Sequence, residues 1–241
     1  MATANLNICF IDYNLFIILF FSFIPVYIWI KFVLYEDTHK EPFSFIVLAI
    51  FLGILAAVLS YIAEERLSHI FNTNTLEYLF FSAFIEEFFK FFLVFLFIVP
   101  TKNFHYLIDS MIYLGLAGIG FSFLENAASK CSILVSSSPD SAYISIAIIS
   151  LTRFLSANFL HLLTSTLIGF GYSITLKTRR IFPFIFSFVM ASVLHFIYNS
   201  FIIKELIVYV FPILWAIFFV VLEEFQILKK LDGRIRTFSS N

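Results

Sequence analysis

Long apolar runs separated by short polar segments make up most of the chain after residue 14. Because about 20 consecutive apolar residues are enough for a helix to cross a bilayer, each run of this length predicts one membrane-spanning helix. The predicted spans cover residues 15–35, 43–62, 78–99, 107–126, 155–176, 183–203 and 206–223. The pattern therefore predicts an all-α, polytopic transmembrane bundle of about seven helices.

The fifth predicted span has an ambiguous start, since apolar residues continue back from 155 to Ala142. A single helix over 142–176 would be about 52 Å long, whereas the hydrocarbon core of a bilayer is about 30 Å thick. Residues 142–153 therefore form either a separate helix on or partly in the membrane, or an eighth crossing.

The positive residues of the connecting segments indicate the orientation, because Lys and Arg in short loops favour the cytoplasmic side. With seven spans, ten of these residues lie on one side of the membrane and three on the other. The larger set is Lys31, Lys40, Lys102, Lys177, Arg179, Arg180, Lys229, Lys230, Arg234 and Arg236, and the smaller set is Arg66, Lys130 and Lys204. We therefore expect the N-terminus outside and the C-terminus in the cytoplasm.

The predicted organisation is one transmembrane domain over residues 1–227, followed by a short polar cytoplasmic tail over 228–241. The composition agrees, with 61% hydrophobic residues, 13% charged residues and a mean hydropathy of +0.98. These values are typical of a multi-pass protein, which we expect in the cell membrane with the lipid bilayer as its main partner. The net charge of −1 and the lack of a basic stripe argue against nucleic acid.

Ionisable side chains inside the apolar runs are the candidate functional residues. An ionised group near the bilayer centre costs at least about 2.5 to 3.5 kcal/mol, so such groups normally face the bundle interior and have partners. At 1.5 Å per residue, Glu86 and His195 both lie about 12 Å from the outer ends of their spans, and Glu87, Glu125 and His161 fall in the same outer half. The set consists of Glu86, Glu87, Lys90, Glu125, Arg153, His161, His195 and Asn199.

The spacing within the segment E-E-F-F-K predicts an ion pair, because Glu86 and Lys90 are four residues apart on one helix face. His195 and Asn199 have the same spacing. Each of these pairs also has a purely structural explanation, and Arg153 could serve only as an anchor at the membrane interface. Their common depth is what favours a single site. By contrast, Glu64 and Glu65 lie in a predicted outer loop and are expected to be solvated.

Carboxylates beside imidazoles are suited to the hydrolysis of an acyl bond. A Glu can take a proton from water, and the imidazoles can hold that water and the carbonyl oxygen that it attacks. Alternatively, His161, His195 and Glu125 could bind zinc and leave another Glu as the base. Neither Ser nor Cys has an obvious neighbouring base, and the zinc-binding pattern H-E-x-x-H is absent.

Five sequence blocks resemble the PrsW-type intramembrane proteases, which are related to the CAAX prenyl-protease and bacteriocin-immunity membrane superfamily. The blocks are E-D-T-H-K-E-P (36–42), E-E-F-F-K (86–90), D-S-M-I-Y-L-G-L-A-G-I-G-F-S-F-L-E-N (109–126), R-F-L-S-A-N-F-L-H-L-L-T (153–164) and H-F-I-Y-N (195–199). The resemblance implies a catalytic set of Glu86, Glu87, Glu125, His161 and His195. The residues that would support this set are Lys90, Asn126, Arg153 and Asn199.

The residues and the resemblance together predict a protease that cleaves a membrane-anchored protein near the outer membrane face. If it acts as its bacterial look-alikes do, the substrate would be a regulator such as an anti-sigma factor. The adjacent carboxylates and Lys90 favour a metal-free mechanism, with zinc as the second possibility. The alternative function is non-enzymatic, either a bacteriocin-immunity factor or a proton-coupled transporter that uses the same Glu and His residues.

Overall fold

The described secondary structure is entirely α-helical in the computed structural model of the protein, which describes residues 13–136 and 139–239. The helices are α1 (Tyr13–Glu36), α2 (Phe43–Ser68), α3 (Leu76–Phe97), α4 (Asp109–Ser136), α5 (Pro139–Leu155), α6 (Ala157–Thr178), α7 (Phe182–Ile203) and α8 (Ile207–Ser239). The all-α fold predicted from the apolar runs is confirmed.

Six segments of the described chain are long and apolar enough to cross a membrane. They are Phe16–Glu36, Phe43–Ser68, Asp109–Leu134, Ala142–Thr178, Phe182–Ile203 and Ile207–Gly233. Helix α3, which was predicted to be a span, is not among the six. It has 22 residues and is highly apolar at both ends, but Glu86, Glu87 and Lys90 lie near its middle. The chain is therefore a multi-pass protein of the cell membrane. Its orientation stays a prediction.

The ambiguous region before the fifth predicted span contains a helix break at Ser156. This residue has φ −124° and ψ −84°, outside the helical range, and it separates α5 from α6. Its N–H donates to the carbonyl of Arg153 at 3.4 Å, while its own carbonyl accepts from the N–H of Leu160 at 2.8 Å. Residues 142–153 thus belong to a helix of their own, and the break holds Arg153 close to the start of α6.

Helices α4 and α6 lie at the centre of the bundle, and small residues let their neighbours approach them closely. A Cβ atom at Gly53 of α2 would lie 1.9 Å from the carbonyl oxygen of Ala117 in α4. A Cβ atom at Gly118 would lie 2.4 Å from the carbonyl oxygen of His161 in α6. Only glycine permits either contact, and close packing of this kind is what joins helices in a lipid environment.

The C-terminal region differs from the predicted polar tail that begins at residue 228. Helix α8 continues to Ser239, Leu228 is fully buried, and the Lys229 ammonium lies 2.6 Å from the carboxylate of Glu36. Asp232 accepts hydrogen bonds from the N–H groups of Leu107 and Ile108 at 3.0 and 3.1 Å. A carboxylate stabilises the N-terminal end of a helix, so α8 packs against the bundle beyond the predicted boundary.

A network of carboxyl groups fixes the connection between α1 and α2. Asp37 accepts from the backbone N–H groups of His39, Lys40 and Glu41 at 2.8, 3.1 and 2.9 Å. The Glu41 side chain then reaches into the bundle, where it accepts a hydrogen bond from the Tyr113 hydroxyl. Burial raises the pKa of Glu41 from its ordinary value of 4.5 to about 8.

Replacing Glu41 by Gln should remove a pH dependence of stability. The raised pKa means that the folded protein prefers protonated Glu41, so the free energy of unfolding falls as the pH rises from about 4.5 to about 8 and then levels off. Because Glu41 is only half-buried, solvent screening limits the effect. Glu41→Gln should raise the Tm at alkaline pH by about 2 to 4 °C, the shift that about 1 kcal/mol produces at this chain length.

Thermal unfolding in detergent across this pH range measures the difference. The exposed residue Glu65 on α2 provides the control, since Glu65→Gln should keep the wild-type pH dependence. Identical pH profiles for wild type and Glu41→Gln would contradict the assignment.

Candidate functional site

Five of the residues singled out in the sequence meet inside the bundle. Helix α3 contributes Glu86 and Glu87, α4 contributes Glu125, α6 contributes His161, and α7 contributes His195. The two imidazole rings are 5.0 Å apart between centroids and nearly perpendicular, with an interplanar angle of 84°. The site is built from four helices, none of which could form it alone.

Glu87 is the most buried member of the cluster, with a side chain 0% exposed. One of its oxygens, Oε1, lies 2.7 Å from Lys90 Nζ, 3.0 Å from Thr164 Oγ1 and 2.8 Å from His195 Nδ1. The predicted ion pair between Glu86 and Lys90 is therefore wrong, because Lys90 pairs with Glu87 instead. A spacing of three residues also brings two side chains together on a helix, and Glu87 is the carboxylate that faces the core.

Glu86 is turned away from that pair and is 13% exposed. Its Oε2 atom lies 3.7 Å from Nε2 of His195 and, within the described part of the chain, has no hydrogen-bond partner. Glu87 accepts the hydrogen from Nδ1 of the same ring, which leaves the lone pair of Nε2 directed towards Glu86. A free carboxylate oxygen and a free imidazole nitrogen thus face each other.

His161 connects the buried and open parts of the site. Its Nδ1 lies 3.2 Å from Lys90 Nζ, which can only donate, so Nε2 carries the hydrogen and donates to Glu125 Oε2 at 2.8 Å. The other oxygen of Glu125 lies 2.7 Å from the Arg153 guanidinium. The side chain of Glu125 is 41% exposed, more than either of the other two carboxylates.

The predicted supporting residues are only partly joined to the site. Arg153 donates from Nε to the Asn126 side chain, and Asn126 in turn donates to Asn158. Arg153 is therefore part of the polar network around Glu125 and has more than an anchoring role. Asn199 is half-buried, and no hydrogen bond joins its side chain to His195 in the described structure.

Two neighbours of the cluster were not among the predicted site residues. Asn158 lies three residues before His161 on α6, and it has no charge that would mark it as a candidate in the sequence. Glu64 was expected to be solvated, yet α2 continues beyond the predicted span and brings its carboxyl group to α3, where Ser82 donates to it at 2.9 Å. The only available signal was the spacing of Ser82 and Glu86, which places both on one face of α3.

The residues present fit a divalent metal ion. Glu86, His161 and His195 each offer a ligand atom, and these atoms all lie within 4.8 Å of one another. Imidazole nitrogens and a carboxylate oxygen are common zinc ligands, and the bond from His195 to Glu87 is the kind of support that orients a ligating ring. The carboxylate in this group is Glu86, whereas Glu125 was predicted from the sequence as the carboxylate ligand.

A polytopic helical bundle that brings carboxylates and imidazoles together has the groups that hydrolysis inside a membrane requires. The model of the PrsW family intramembrane metalloprotease matches residues 41–222, and the chain belongs to this family. It is therefore an intramembrane peptidase. Comparisons with curated proteins and with solved structures found no match.

Removing Lys90 should destabilise the protein strongly, because it leaves Glu87 buried without its counterion. Breaking a buried ion pair from one side costs about 3 to 5 kcal/mol. We expect Lys90→Met to lower the stability by this amount, and the double variant Lys90→Met/Glu87→Gln to recover much of the loss. Unfolding in detergent measures both.

Lys204 provides a matched control, since it lies exposed in the connection between α7 and α8. Lys204→Met should leave the stability unchanged. Wild-type stability in Lys90→Met, or no recovery in the double variant, would show that Lys90 is not needed to compensate the buried charge of Glu87.

Proposed function

We propose that this protein hydrolyses a peptide bond of a membrane-anchored protein within the outer half of the bilayer, with Glu86 at the reacting centre. The observation that supports this role is the Glu86 Oε2 atom, which has no hydrogen-bond partner among the described residues and lies 3.7 Å from His195 Nε2. The family membership supports the reaction class. A single-span regulator such as an anti-sigma factor is the substrate that we propose.

The other groups have distinct tasks in this scheme. Glu87 fixes the His195 ring, and Lys90 balances the charge of Glu87. Glu125, held by Arg153 and His161, is the most exposed carboxylate and is suited to take the proton of the attacking water. The same proton then passes to the leaving amine nitrogen as the carbon–nitrogen bond breaks.

We further propose that Glu86, His161 and His195 hold a divalent metal ion, for which one nitrogen of His161 would give up its contact with Lys90 or Glu125. Such an ion would polarise the scissile carbonyl and activate water. The sequence favoured a metal-free mechanism. The ligand group around Glu86 and the description of the family as metalloproteases support a metal instead. In the metal-free alternative, Glu86 itself takes the proton from water, and both imidazoles hold the water and the carbonyl oxygen.

Replacing Glu86 by Gln should abolish cleavage without loss of the folded protein. Gln keeps the shape of Glu but can neither accept a proton nor bind a metal as a carboxylate does, so we expect a decrease of about 100- to 10,000-fold. Glu125→Gln should show a decrease of the same order. Purified variants are assayed in detergent on a single-span substrate, with abundance and Tm measured in parallel.

The exposed residue Glu77 in the first turn of α3 serves as the control, and Glu77→Gln should retain activity. Full activity in Glu86→Gln would refute the catalytic role. Wild-type protein without activity on any membrane-anchored substrate would instead favour the non-enzymatic alternative.

Chelation distinguishes the two mechanisms. If the metal is held as proposed, the purified protein should contain about one equivalent of zinc, and chelation should remove the zinc together with the activity in a reversible manner. His195→Ala should contain no stoichiometric zinc. Activity that survives complete removal of the metal would support the metal-free scheme and leave the protease assignment standing.

A further inference from the structure

A polar stripe on α3 leads from one end of the bundle to Glu86. Tyr78, Ser82 and Glu86 follow one another at intervals of four residues, so their side chains lie on the same helix face. Ser82 is buried, while Tyr78 and Glu86 are each half-buried. The surrounding face of α3 carries exposed aromatic residues, among them Phe81 and Phe84, that suit contact with lipid.

Glu64 of α2 lies opposite this stripe. Its Oε1 accepts a hydrogen bond from Ser82 Oγ at 2.9 Å, and its carboxyl group lies near that of Glu86. One side chain of α2 thus contacts two successive positions of the stripe. Glu64 lies four residues before the end of α2 at Ser68, and Ser82 lies six residues after the start of α3 at Leu76.

A hydrolase inside a membrane needs a path for water, because every peptide bond that it cleaves consumes one water molecule. The inner side of the cluster is closed, since Glu87, Lys90, His161 and His195 are all buried. The polar groups that continue from Glu86 towards a helix end are Glu64, Ser82 and Tyr78. Isolated polar groups facing hydrocarbon would be unfavourable, and a continuous row of them is stable where water can reach it.

We propose that Glu64, Ser82 and Tyr78 form a hydrated passage between α2 and α3 to the site, and that Glu64 positions the Glu86 carboxyl group. The role of Glu64 rests on the proposed function, whereas the passage can be detected without any activity. In the predicted orientation, the passage opens at the outer membrane face.

Accessibility to a charged thiol reagent tests the passage directly. A membrane-impermeant methanethiosulfonate reacts with the thiolate form of cysteine, which apolar surroundings suppress. Ser82→Cys should therefore react at least about 10-fold faster than Phe81→Cys, the neighbouring position on the lipid side. The unmodified chain, with its own Cys9 and Cys131, gives the background.

Reaction of Ser82→Cys in right-side-out vesicles supports the proposal. Equal reaction at positions 81 and 82, or reaction only in inverted vesicles, would overturn it. These outcomes do not depend on whether the protein cleaves anything, so the passage can fail while the proposed function stands, and the reverse is also true.

Glu64→Ala tests the positioning role. Loss of a side chain that orients a ligand typically lowers metal affinity or activity by about 10- to 100-fold. We expect weaker zinc binding in competition with a chromophoric chelator, and a lower kcat with an unchanged KM. The exposed neighbour provides the matched variant, since Glu65→Ala should match wild type in both measurements. Unchanged zinc affinity and kcat in Glu64→Ala would refute the role.

Discussion

The structure depends on the compensation of one buried charge. Glu87 is completely inaccessible in a bundle surrounded by lipid, where an unpaired carboxylate would be highly unfavourable. Its compensation requires Lys90 from its own helix, Thr164 from α6 and His195 from α7. The polar contacts therefore fix the mutual positions of three helices. The orientation of the His195 ring towards Glu86 is a consequence of this requirement.

Close helix packing transmits the same constraint to the open side of the site. The Gly118 backbone lies directly against the carbonyl of His161, so α4 and α6 are in close contact at a residue of the candidate site. A side chain at position 118 would push the helices apart and draw Glu125 away from His161. The ion pair of Glu125 with Arg153 adds α5 to this arrangement through the helix break at Ser156.

The fold class and the convergence of most candidate residues could be predicted because both follow from one physical rule, the cost of polar groups in hydrocarbon. Apolar runs marked the helices, and charges within them marked the residues that converge in the structure. Side-chain directions could not be obtained in this way, so the partner of Lys90 was assigned to Glu86 in place of Glu87. Glu64 was missed because it lies where a span ends, and there a charged residue is as easily solvated as buried. The packing of α8 beyond residue 227 depends on Asp232 meeting the start of α4, a contact between distant segments that leaves no local pattern.

The cluster has a closed side and an open side, and this asymmetry suits the hydrolysis that we propose for it. Around Glu87 the groups are buried, and Glu87 Oε1, Lys90 and the two imidazoles are joined by hydrogen bonds, so they hold their geometry without water. Around Glu86 and Glu125 the carboxylates retain exposure or a free oxygen atom, so they can meet water and a substrate. A fully closed cluster would be stable but unreactive, whereas a fully open one would lose the low-dielectric surroundings that strengthen its electrostatic interactions. His161 contacts both sides through its two nitrogens, and it therefore joins the buried side of the cluster to the side that we propose to react.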